Sequence, residues 1–147
     1  MPRRDGSPTE KELERTIVDY VHAVLNGDVD EFSQRRRGKC RSCGAPIPAG
    51  TQQTKGIPDL RFIVQGRVIW CEVKTGKRKE TPEQARFMAR EIVMGGRAIS
   101  VWSLHDLMWA LDQFGIDPKL EWDAETPPHE RTAFWVELWR DNQQVAS

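Results

Sequence analysis

The chemistry available to this chain of 147 residues concentrates on Asp59, Glu72 and Lys74. Asp59 precedes the β-prone run Leu60-Arg61-Phe62-Ile63-Val64, and Glu72 and Lys74 close a second run, Val68-Ile69-Trp70-Cys71-Glu72-Val73. Joined by Gln65-Gly66-Arg67, the two runs form a hairpin, and antiparallel pairing brings the three side chains to one end of a sheet. Because side chains alternate along a strand, Glu72 and Lys74 share a face while Val73 points to the other. Two carboxylates and an ammonium then converge. Such a set suits phosphodiester hydrolysis. Carboxylate oxygens are what a hard divalent ion such as Mg²⁺ prefers, and the ion keeps waters, one of which can become the nucleophile. Lys74 either positions and helps deprotonate that water or stabilises charge on the phosphate. Singly, each residue also has a plain structural use: Asp59 starts a strand, and Glu72 with Lys74 forms an exposed ion pair of little worth.

Other elements must hold this hairpin. Leu13, Ile17, Val21, Val24 and Leu25 recur at helical spacing after Ser7-Pro8-Thr9-Glu10, read as a capping box with proline at the first helical position, and Asn26-Gly27 ends the helix. Residues 28–55 follow as a loop-rich insertion with one short strand near Phe32. Thr81 caps a helix whose apolar face is Phe87, Met88, Ile92 and Val93, and Gly95-Gly96 stops it. Ala98-Ile99-Ser100-Val101-Trp102 is a third strand, and a helix runs from about Ser103 to Phe114. The order helix, hairpin, helix, strand, helix defines an α/β domain over residues 1–116. Residues 117–147 then read as an acidic, proline-rich linker and a short helix, Ala133 to Trp139. Its Phe134, Trp135, Leu138 and Trp139 pack either on the domain or on a partner chain.

Asp59 followed by Glu72-Val73-Lys74 matches the PD-(D/E)XK pattern. The fuller string Gly56-Ile57-Pro58-Asp59-Leu60, Glu72-Val73-Lys74-Thr75 and then Gln84 in the next helix resembles the VRR-NUC group of that superfamily. The resemblance covers roughly Thr9 to Phe114; the insertion matches poorly and the C-terminal tail not at all. It implies a restriction-endonuclease-like mixed sheet flanked by helices and divalent-metal-dependent hydrolysis of DNA, with Mg²⁺ or Mn²⁺ as cofactor. It further implies Gln84 beside the catalytic Asp59, Glu72 and Lys74, the backbone carbonyl of Val73 as a metal ligand, and a contact from Thr75 to phosphate or metal-bound water. A glutamate of the first helix joins Asp59 and Glu72 on the metal: Glu10 is the best match by its spacing to Leu13, Ile17 and Val21, with Glu14 one turn on as the competitor. Structure-selective action on branched or flapped DNA, a homodimer, and an origin in a phage or its bacterial host follow from the habits of such nucleases. The rival readings are an inactive nucleic-acid-binding module of the same fold and a zinc-stabilised interaction domain.

The remaining features bear on partners. With 22 basic and 22 acidic residues the chain is formally neutral, but Arg35, Arg36, Arg37, Lys39 and Arg41 form one basic run, and Lys77, Arg78 and Lys79 extend Lys74 into a second. A locally basic face can contact phosphates without reading sequence; the plain alternative is a solvated loop. Cys40-Arg41-Ser42-Cys43-Gly44 resembles a zinc knuckle, yet a structural Zn²⁺ needs four ligands. Two chains share an ion through Cys40 and Cys43, or a histidine among His22, His105 and His129 completes the site, or no metal binds. Three sparse cysteines argue against a disulfide scaffold. The absence of a long apolar run and the polar N-terminus argue against a membrane span and a signal peptide, so a soluble, intracellular, cytoplasmic protein is expected.

Overall fold

The computed structural model describes residues 6–32 and 55–146. The proposed zinc ligands Cys40 and Cys43 and the basic run Arg35, Arg36, Arg37, Lys39 and Arg41 lie outside the described residues. Among the described residues, helices and strands follow in the order α1 (Glu10–Ala23), β1 (Asp28–Glu31), β2 (Leu60–Val64), β3 (Arg67–Val73), α2 (Pro82–Val93), β4 (Arg97–Val101), α3 (Leu104–Gln113) and α4 (Glu130–Ala146). The strands form one mixed sheet in spatial order β1-β2-β3-β4, antiparallel except for the parallel pair β3 and β4 joined through α2. This is the α/β arrangement of a mixed sheet flanked by helices.

The hairpin turn is tighter than the sequence suggests. Arg67 pairs with Val64, so only Gln65 and Gly66 lie between the strands, and both have positive φ (50° and 74°). Two successive positive φ values are the geometry that matches the right-handed twist of a hairpin. The register Leu60↔Cys71, Phe62↔Ile69 puts the buried residues of β2 and β3 on one face, with Val73, while Arg61↔Trp70 and Glu72 occupy the other. On the first face the Cys71 thiol is held well above its ordinary pKa, chiefly by burial and then by the carboxylates of Asp59, Glu72, Glu14 and Asp106. On the second, Phe87 of α2 meets Trp70 and Met88 meets Ser100, the register partner of Glu72.

Three boundaries differ from expectation. The first capping box uses Thr9, not Ser7: the Thr9 hydroxyl accepts from the Glu12 amide, and the Glu12 carboxylate accepts from the Thr9 amide. Thr9 is itself three residues before a glutamate, and a helix beginning at Glu10 keeps Leu13, Ile17 and Val21 in the core. The short strand expected near Phe32 is the edge strand β1, Asp28–Glu31, which ends one residue before it and pairs along β2. The last helix begins at Glu130 and runs to Ala146, well beyond Ala133 to Trp139. Trp135 and Val136 are buried in the core of this chain and α4 lies against β4. Polar contacts extend it: the Thr132 hydroxyl donates to the Ser100 carbonyl at 2.6 Å, and the Asn142 amide to the Ile92 carbonyl at 2.8 Å. Among the described residues no helix is long and apolar enough to cross a membrane.

Candidate active site

The site lies where β3 ends and β2 begins. Asp59 is the residue before β2, and its carboxylate accepts the backbone N–H of Val73 across the hairpin at 3.0 Å. That bond fixes the aspartate against the strand carrying the other two groups. Lys74 continues β3 by donating its backbone N–H to the Val101 carbonyl at 3.0 Å, so its side chain keeps the parity of Glu72. Lys74 Nζ lies 3.4 Å from Glu72 Oε1, with side chains only 6% and 2% exposed. The pair is therefore buried, which removes the reading of an exposed edge ion pair.

Electrostatics make the pair unusual. The Glu72 pKa is raised to about 9, first by burial and then by the charge and hydrogen-bonding proximity of Asp59, while Lys74 pulls it down. Glu72 Oε2 is buried without a hydrogen-bond donor. A buried acceptor beside a second carboxylate is satisfied by a proton or by a cation, and the donor set fits a hard divalent ion that takes one or two carboxylates and retains waters. Among the described residues no three His, Cys, Asp or Glu side chains are grouped to hold a metal. The side chains at the site that could hold such an ion are those of Asp59 and Glu72.

The helical glutamates and Gln84 are placed as follows. Glu10 lies in the first turn of α1 and pairs with exposed Arg78 at 3.0 Å. Its role is not to close the capping box, since Glu12 does that. Glu14 is buried, one turn further along. Gln84 closes the capping box of α2: its side-chain oxygen accepts the Thr81 amide at 2.9 Å. Gly56 explains how α2 approaches the Asp59 loop. It has φ +87°, and a Cβ there would stand 2.4 Å from the Glu83 carbonyl oxygen and 2.9 Å from the Gln84 amide nitrogen. Only a residue without a side chain lets the first turn of α2 lie on the strand lead-in. Thr75 is buried beside Lys74, whereas Lys77, Arg78 and Lys79 are exposed on the following turn.

A solved VRR_NUC domain superposes on 70% of this chain and 94% of its own length, with a TM-score of 0.50 and 21% sequence identity. The chain has the fold of a VRR_NUC domain. No family model matches the sequence, and no curated protein matches it.

Two features of this VRR_NUC fold escaped the sequence analysis. The loop after Lys74 is clamped to α4: Arg131 donates twice to Glu80 Oε1, at 3.0 and 2.6 Å, and Trp135 Nε1 donates to the same oxygen at 3.1 Å. Burial would raise the Glu80 pKa, but the hydrogen bonds and charge of Arg131 outweigh it and hold the carboxyl below its ordinary value. A separation of 51 residues left no signal of this pairing. The second is an aromatic cluster around Trp70, which the parity of Trp70 and Glu72 on one strand could have revealed.

Proposed function

We propose that this chain is a divalent-metal-dependent DNA nuclease that hydrolyses phosphodiester bonds. The observation that carries the reading is the convergence of half-buried Asp59 with buried Glu72 and Lys74, a Glu72 carboxylate oxygen left unpartnered, on a VRR_NUC fold. Mg²⁺ or Mn²⁺, when bound, would supply an activated water and neutralise charge on the phosphate. Asp59 and Glu72 would hold it, with the Val73 carbonyl; Glu10, paired with Arg78 and not grouped with these two carboxylates, would join only by leaving that pair. The Val73 amide orients Asp59, so the carboxylate needs no reorganisation when substrate arrives. Lys74, locked by its backbone bond to β4, presents its ammonium beside Glu72, where it orients the attacking water and offsets charge building on the phosphoryl oxygens. Gln84 keeps its side-chain N–H₂ for the DNA backbone while its oxygen caps α2. Lys77, Arg78 and Lys79 supply phosphate contacts along the same edge.

The test is cleavage of supercoiled plasmid and of a synthetic four-way junction with Mg²⁺ or Mn²⁺, comparing wild type with Lys74→Met, which keeps the apolar stem. The expected result is metal-dependent cleavage that falls roughly 100-fold or more in the variant. Folded wild-type protein that cuts neither substrate with either metal would refute the nuclease reading.

A further inference from the structure

The face of β3 that carries Glu72 also carries Trp70, two residues back. At roughly 3.3 Å per strand residue the two side chains stand about 7 Å apart, comparable to one nucleotide step of an extended strand. Trp70 is half-buried in a cluster of rings and cations. Phe32, at the end of β1, lies 5.6 Å from it, and Phe87 of α2 meets it edge-on at 4.9 Å. Arg61, its cross-strand partner, places its guanidinium 5.4 Å from the Trp70 ring and 5.8 Å from that of Phe32. Asp30 accepts from both Nε and Nη2 of Arg61, which fixes the guanidinium plane, yet the Arg61 side chain stays 37% exposed. Phe87 belongs at the same time to an open groove of about 270 Å³ lined by Lys55, Glu83, Arg86 and Arg90. Among the described residues the groove holds three cations against one carboxylate, and the ion pair of Arg86 with Glu83 is long at 3.9 Å and exposed.

We infer that this groove and platform bind an unpaired nucleic-acid strand beside the scissile phosphate, its phosphates on Lys55, Arg86 and Arg90 and a base stacked on the Arg61–Trp70 pair. The inference deepens the nuclease reading and rests on it for the position of the cut. Bases within a duplex are stacked and cannot lie on a flat side-on platform, whereas unpaired bases stack on aromatic rings and guanidinium planes. The positive groove attracts any polyanion, an acidic peptide included, but only a nucleotide strand supplies both a regular line of charge and flat rings.

Fluorescence anisotropy of the full chain in EDTA, where no cleavage occurs, tests it with two labelled oligomers of equal length, one of thymidylate and one of abasic spacers. Wild type is expected to bind the thymidylate oligomer roughly tenfold tighter, the value of one stacked base. Arg61→Met, exposed and verified as folded by circular dichroism, should bring that ratio close to one. Arg86→Ala with Arg90→Ala should weaken both oligomers alike and reduce the slope of log affinity against log salt by about 1.4. Equal binding of the two oligomers by wild type, an unchanged ratio in Arg61→Met, or an unchanged salt slope in the double variant overturns the inference. Cleavage is assayed in parallel. Base-dependent binding without metal-dependent cleavage removes the nuclease reading and keeps the strand-binding groove, and cleavage without base-dependent binding removes the groove alone.

Discussion

Replacing Glu72 by glutamine should make the protein more stable at neutral pH while removing its response to metal. Glu72 has a pKa of about 9 in the folded chain against 4.5 when free, because burial and Asp59 disfavour its charge. The folded state therefore holds this proton where the unfolded state has lost it. Between pH 4.5 and 9, stability falls as pH rises, by up to ~1.4 kcal/mol per unit. From pH 5 to pH 7.5 the loss amounts to about 3 kcal/mol, and a change of 1 kcal/mol moves Tm by roughly 2–4 °C in a domain of this size. Glu72→Gln carries no proton to lose and its amide can donate to Asp59, so its Tm should hold steady while that of wild type drops by roughly 6–12 °C, relative to the variant, across that range. Added Mn²⁺ replaces the proton with a better cation. It should raise the wild-type Tm more at pH 8 than at pH 6 and leave the variant unmoved. Thermal scanning from pH 5 to 8, first in EDTA and then with MnCl₂, reads both effects. Parallel Tm–pH profiles for the two proteins, or an equal metal shift in both, would refute the placement of Glu72 as a buried carboxyl facing Asp59.

Two further outcomes concern what holds the site in place. Arg131→Met strips the buried Glu80 carboxylate of its cation and should cost about 3 kcal/mol at neutral pH by denaturant unfolding. Because the folded Glu80 pKa is lowered, its stabilising contribution is present above about pH 4.5 and lost as pH falls through the folded value, so the gap between variant and wild type should narrow in acid; a gap that widens there would count against the clamp. Gly56→Ala forces a Cβ into the Glu83 carbonyl at a positive φ and should cost at least ~2 kcal/mol, with cleavage falling further than the loss of folded protein explains, as α2 moves off the Asp59 loop. A variant as stable and active as wild type would show that the close approach does not matter.

What could be read from the sequence divides along the range of the forces involved. Asp59, Glu72 and Lys74 were legible because they depend on two local rules, the alternation of side chains along a strand and the closure of a hairpin over a short turn. Neither rule needs the rest of the fold. The α2 cap was legible for the same reason, since Thr81 and Gln84 satisfy one another within a single turn. At α1 the local rule was ambiguous, because both Ser7 and Thr9 can cap a helix. Each is followed three residues on by a glutamate, Glu10 or Glu12, and the reciprocal bonds form between Thr9 and Glu12. The length of α4 was illegible because its final turns are held by Asn142 on the Ile92 carbonyl, a contact 50 residues distant, and not by apolar periodicity. The Glu80–Arg131 clamp belongs to the same class, yet it fixes the loop that follows Lys74 and so bears on the site as directly as the motif does. A motif read from sequence names the groups that could react; how rigidly they are held is decided by polar contacts that no spacing rule encodes. The contacts that fix Asp59 and the loop after Lys74 in place therefore run through Arg131, Gly56 and the Val73 amide, none of which belongs to the motif.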